Sequence, residues 1–100
     1  MLTTKQREYL RSLAQKIKPV FQIGKDGLSE NLLIDVLNYL NKHELVKISI
    51  LQNSLVEASD CQEFFEEAGI EFVQHIGRSI VLYKHSDNAK NPIELPKKNK

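Results

Sequence analysis

Between residues 20 and 83 the chain alternates short strand-like runs with helical stripes, and this alternation restricts the fold more than any other feature. Residues 20–23 (VFQI) are apolar and partly β-branched, and read as a buried strand. Residues 45–51 alternate, with Val46, Ile48 and Ile50 on one side and Lys47 and Ser49 on the other, as in a half-buried strand. Between them lies a helix. Ser29 is its N-cap, Glu30 suits the positive end of its dipole, and Leu28 and Leu33 stand at the two positions of a hydrophobic staple. Leu28, Leu32, Leu33, Val36, Leu37 and Leu40 form its stripe, which ends near Lys42 or His43. A further helix is predicted over residues 55–68, with Cys61, Phe64, Phe65 and Ala68 inward and Gly69 as its cap. The runs EFVQHI and SIVLYK flank Gly77-Arg78, a two-residue type II′ hairpin signal. Two successive strand–helix–strand passages call for parallel strands with right-handed connections.

One more helix precedes this unit. Thr3 and Gln6 have capping-box spacing, Leu10, Leu13, Ala14 and Ile17 make an apolar stripe, and Pro19 sets a limit to the helix. The order is α-β-α-β-α-β-β: an α/β fold of two layers with a small four-stranded mixed sheet. One sheet face is expected to carry helices and the other to be more polar. From the hairpin turn the expected pairs are Ile76 with Ser79, His75 with Ile80, Gln74 with Val81, Val73 with Leu82 and Phe72 with Tyr83. That register puts Val73 and His75 with Ile80 and Leu82, and Phe72 and Ile76 on the wetter face. Residues 85–100, rich in Lys, Asn and Pro, read as a basic, flexible tail, partly docked through Ile93 and Leu95.

At 100 residues the chain is one domain. A single cysteine excludes an internal disulfide and suits a reducing compartment. Neither a signal peptide nor an apolar run of membrane-spanning length is found, so a cytoplasmic protein is expected. The net charge of +1 conceals segregation. Residues 1–28 hold six basic and two acidic side chains, residues 29–77 two and nine, and residues 78–100 six and two, giving +4, −7 and +4. Such a pattern can fold into one basic and one acidic face. At 100° per residue, Arg7 and Arg11 share a flank of the first helix, away from its stripe.

Little points to catalysis. His43, His75 and His85 have no metal-ligand spacing, and Glu63, Glu66 and Glu67 read as a solvated helix face. Cys61 reads as core. The chain has neither a Walker A pattern nor the third glycine of a dinucleotide-binding turn. No enzyme, metal, cofactor or small-molecule substrate is expected.

The stretch IGKDGL, residues 23–28, is the strongest candidate site. Gly24 and Gly27 lie between a strand and a helix N-terminus, where free amides and the dipole favour an anion. Glycines let a phosphate backbone approach closely, and Lys25 adds a positive charge, which Asp26 opposes. A G-x-x-G loop clamps nucleic acid in this way in some RNA-binding domains. From mechanism alone, a clamp and a plain strand-to-helix turn both remain open.

Five stretches taken together are more specific: LTTKQREYLRSLA, KPVFQIGKDGLSENLL, HELVKI, IGRSIVLYK and NPIELP. They cover nearly the whole chain. In order and spacing it resembles the CRM domain of RNA-splicing and ribosome-maturation proteins, in particular the stand-alone bacterial YhbY-like members. The resemblance implies a CRM domain over residues 1–84, with a fold like the C-terminal domain of translation initiation factor 3 behind one extra helix. It also implies RNA binding, namely to ribosomal RNA of the large-subunit precursor; a monomer is expected. The family's loop maps onto Gly24, Lys25, Asp26 and Gly27, and its basic surface onto Lys5, Arg7, Arg11, Lys18, Lys25 and Arg78. The third helix is more acidic than the family pattern and is expected to lie away from RNA. An alternative reading is a protein-interaction module that docks a partner through the open sheet face or this acidic helix.

Overall fold

The computed structural model describes residues 2–96. Helix α1 (Thr4–Ala14) starts at the expected capping box: the Gln6 amide donates to Thr3 Oγ1 at 3.1 Å, and the Thr3 amide donates to Gln6 Oε1 at 3.0 Å. Strand β1 (Phe21–Ile23), helix α2 (Glu30–His43), strand β2 (Leu45–Ile50), helix α3 (Ala58–Glu67) and strands β3 (Glu71–Ile76) and β4 (Ser79–Tyr83) follow in the expected order. The sheet order is β1-β2-β4-β3. β1 lies parallel to β2, with Phe21 beside Ile48 and Ile23 beside Ile50. The second crossover skips one place, and the hairpin returns β4 into the gap, antiparallel to both β2 and β3.

Alternation along β2 divides the core in two. Val46, Ile48 and Ile50, with Ile23, Phe72, Ile80 and Leu82, meet Val36 and Leu40 of α2 and Cys61 and Phe65 of α3. Leu45, Val73, Val81 and Tyr83 face the other way, onto Leu10 and Ala14 of α1, with Ile93 and Leu95 packed alongside. The second sheet face, expected to be the more polar one, carries α1 over these residues. The polar remainder, Lys47, Gln74 and Ser79 beside Gln15 and Ile76, lies past the end of α1.

The hairpin register holds for its first three pairs and then breaks. Gln74 stands opposite Val81, but Phe72 pairs with Leu82 and Glu71 with Tyr83. Val73 is the extra residue of a bulge, and one extra residue exchanges every side chain beyond it between faces. Phe72 therefore enters the α2/α3 core and Val73 the α1 side, the reverse of the simple register. Gly77 has φ 56 while Arg78 keeps a negative φ, as a type II′ turn requires.

Two elements are shifted from expectation. β1 is a sheet edge rather than a buried strand: Ile23 is buried, but Val20 just before it is 45% exposed. α3 begins three residues late and leaves Leu55 96% exposed. Ser54 Oγ accepts the Val56 amide in a local turn, and the Asp60 carboxylate accepts the Glu57 amide at the true helix start.

Glu44 ties the lower end of the molecule together. It is fully buried and left-handed at φ 68, closing α2 through its amide to Leu40 O. Its carboxylate accepts the amides of Ser86 and Ile93, each at 2.7 Å, and lies 3.0 Å from His85 Nδ1. These charge-assisted bonds offset the ~1–2 kcal/mol that a left-handed non-glycine residue costs. The segment after β4 is thereby held on the domain as far as Pro96, whose carbonyl accepts from Gln6 Nε2 at 2.9 Å. Residues 97–100 of the expected tail lie outside the described residues.

Candidate nucleic-acid interface

The C-terminal ends of β1 and β2 and the β3–β4 turn meet at one end of the sheet. The Leu51 amide donates to Ile23 O at 2.9 Å, and the Ile50 amide to Arg78 O at 2.6 Å. Arg78 also reaches the Leu51 carbonyl at 3.4 Å, a long contact that leaves its guanidinium exposed. Because α2 follows β1 and α3 follows β2, both helices start at this end, with the positive ends of their dipoles there. Ser29 Oγ accepts the Leu32 amide, as expected of the N-cap. An open cleft of about 690 Å³ runs between Arg78, Gly77 and His75 on one side and Val56, Glu57 and Ser59 on the other.

The loop of residues 24–27 closes by a 3.0 Å bond from the Gly27 amide to Gly24 O. Its two glycines differ in kind. Gly27 has φ 68, and a Cβ there would stand 3.2 Å from Val56 Cγ2, so the turn itself calls for glycine. Gly24 has no left-handed angle, and an added Cβ would make only an ordinary contact, 3.5 Å from Leu51 Cδ1. Neither backbone angle nor internal packing requires glycine at that position. Lys25 and Asp26 are both exposed at the tip.

The other sequence-derived candidates spread out from this end. Lys18 is exposed just before β1. Arg11 is exposed on α1. Arg7, one turn earlier, is half-buried, and its guanidinium donates to the carbonyls of Phe72 and, at 3.4 Å, Val73. It fastens α1 to carbonyls at the β3 bulge, whereas the sequence suggested a side chain turned to solvent. Lys5 adjoins Gln6, which lines a cleft with Glu71 and Tyr83 at the opposite end of the sheet. Gly24, Lys25, Asp26, Gly27 and Arg78 are thus gathered, while Lys5, Arg7 and Arg11 follow the line of α1. The acidic helix is not wholly remote, since Glu57 and Ala58 at its start line the cleft beside Arg78. The sequence reading passed over Lys47, on the part of the second face past the end of α1, and the turn that carries Leu51 next to Gly24.

Burial, with Asp60 nearby, pushes the Cys61 thiol up to about 11. Burial and the carboxylates of Glu44 and Glu71 raise the Tyr83 phenol. Among the described residues, no three His, Cys, Asp or Glu side chains gather to hold a metal, and no helix is long and apolar enough to cross a membrane.

The family model described as CRS1 / YhbY (CRM) domain matches residues 2–84. The "Probable RNA-binding protein YqeI" of Bacillus subtilis is 42% identical over 97 residues, covering 96% of this chain and 100% of that protein. An "RNA-binding protein" of Haemophilus influenzae is 37% identical over 98 residues, covering 97% of each. The solution structure of the hypothetical protein SAV1595 from Staphylococcus aureus superposes with a TM-score of 0.79 at 45% identity, over 96% of this chain and 100% of that one. With nearly its whole length matched in sequence and in fold, the chain belongs to the CRS1/YhbY (CRM) domain family.

Proposed function

We propose that this protein binds RNA at the sheet end formed by Gly24–Gly27 and Arg78, and that it acts in the cytoplasm on ribosomal RNA of the large-subunit precursor, without a catalytic step. The observation that carries the reading is Gly24. A glycine that the fold does not require stands beside Lys25, at the start of α2, with Arg78 on the adjoining turn. Close approach of a phosphate backbone accounts for all of these at once. The names of the relatives, as RNA-binding proteins, support the class of ligand. The protein-interaction alternative loses much of its basis, because α1 covers part of the sheet face it needed.

Lys25→Glu tests the reading. The side chain is exposed and the glycines stay in place, so the melting temperature is expected to hold. RNA affinity at low salt is expected to fall steeply, since an anion would then face the phosphate. Unchanged affinity would reduce the loop to a turn. Crosslinking in cells, with sequencing of the bound RNA, tests the ribosomal assignment; recovery of no large-subunit precursor RNA would remove it.

A further inference from the structure

An aromatic ladder stands where α2 packs over the edge strand β1. Tyr39 and His43, one turn apart on α2, stack with centroids 4.2 Å apart and planes at 29°. Phe21 meets Tyr39 edge-on, at 5.8 Å and 84°. Phe21 and Tyr39 are half-buried and His43 is exposed. Among the described residues no further ring stacks on His43. β1 is an edge strand, so no other strand pairs with its outer side. Exposed lysines mark this margin of the molecule: Lys25 just after β1, Lys18 just before it, and Lys42 next to His43. Asp35, one turn before Tyr39, is the opposing charge on that side of α2.

We infer that a single-stranded RNA segment runs from the loop of residues 24–27 along the β1 edge and stacks one unpaired base on His43. The inference rests on the RNA-binding reading above and adds the path and the kind of RNA. An aromatic ladder with an uncovered last ring accepts any base through its π-face, and lysines at both ends of a short edge track the backbone. α2 has 14 residues, so its two ends are ~20 Å apart, a span on the order of four to six nucleotides.

The test uses the full chain and a fluorescein-labelled six-nucleotide oligoadenylate, with a series that carries one abasic position at a time. His43→Ala is expected to weaken binding about tenfold or more, without changing the salt slope or the melting temperature. His43→Phe is expected to restore binding. Lys25→Glu, in contrast, lowers the salt slope. One abasic position is expected to weaken binding to the wild type but not to His43→Ala. Wild-type affinity in His43→Ala, equal abasic penalties in both proteins, or no binding of the hexanucleotide at low salt would each overturn the path. If Lys25→Glu still weakens binding to structured RNA in those cases, the loop site stands and only the edge path falls. If no RNA binds at all, both fall.

Discussion

Replacing each loop glycine by alanine separates the two roles the loop combines. At Gly24 the added methyl needs no left-handed angle and would sit at ordinary contact distance from Leu51. The folded state therefore loses little, and the unfolded chain loses freedom, so stability is expected to hold or rise by ~0.4–1 kcal/mol. For a domain of this size that is a melting increase of a few degrees. At Gly27 the methyl forces a left-handed alanine, at ~1–2 kcal/mol, and must displace Val56 from 3.2 Å. Gly27→Ala is therefore expected to melt roughly 5–15 °C lower while still folding. RNA affinity should rank the other way round. Gly24→Ala, as stable as the wild type, is expected to bind at least tenfold more weakly, because a methyl stands where the phosphate backbone approaches. The assay is thermal melting beside RNA titration at two salt concentrations. A Gly24→Ala protein that is stable and binds with wild-type affinity would refute the reasoning, since Gly24 would then need some other explanation.

Other measurements bear on the remaining contacts. Arg7→Ala is expected to cost about 1 kcal/mol in urea unfolding, because its guanidinium holds the Phe72 and Val73 carbonyls, whereas Arg11→Ala should leave stability alone and lower the salt slope of RNA binding by about one. Leu40→Ala, at a fully buried site, is expected to cost ~2–5 kcal/mol, and Leu33→Ala, only half-buried, clearly less; equal losses would mean that α2 presents a different face. Stability should also fall in alkali through Cys61. The unfolded thiol ionises from pH 9 upward while the folded one holds its proton to about 11, so the contribution is intact below pH 9 and lost between pH 9 and 11. The loss is on the order of 2 kcal/mol, and Cys61→Ala should lack it when unfolding is followed across that window.

The crossovers were legible because their helices have a period and boundary signals of their own, from the N-cap Ser29 to the left-handed Gly69. The bulge at Val73 was not. Residues 71–76 carry apolar side chains at both Phe72 and Val73, so the pattern accommodates either register, and only packing against both layers chooses between them. The start of α3 was misread for a related reason. The pattern allows a helix from Leu55, but Ser54 and Asp60 supply hydrogen bonds that favour a turn first and a helix three residues later. At the candidate site, the sequence showed two equivalent glycines. Their difference lies in φ and in the neighbours Leu51 and Val56, which reach the loop from the next connection of the chain.

The position of α1 lay beyond the sequence for a different reason. A crossover rule places α2 and α3, since each joins two strands of one sheet, but a helix that precedes the first strand is placed by its contacts alone. Those contacts come from three directions. Leu10 and Ala14 meet Leu45, Val73, Val81 and Tyr83, of which Val73 is turned to that side by the bulge. Arg7 secures one flank on the carbonyls of Phe72 and Val73. Gln6 holds Pro96, at the end of a segment that Glu44 anchors through Ser86 and Ile93. The Glu44 of HELVKI therefore reaches α1 through the chain it holds, and the bulge decides which β3 side chain meets that helix. What remains uncovered is the part past the end of α1, where Lys47 and Gln74 lie beside Ile76 and Ser79 at the base of the turn that carries Arg78, so the helix that closes the second core also sets how far the proposed RNA-binding surface can extend from the loop.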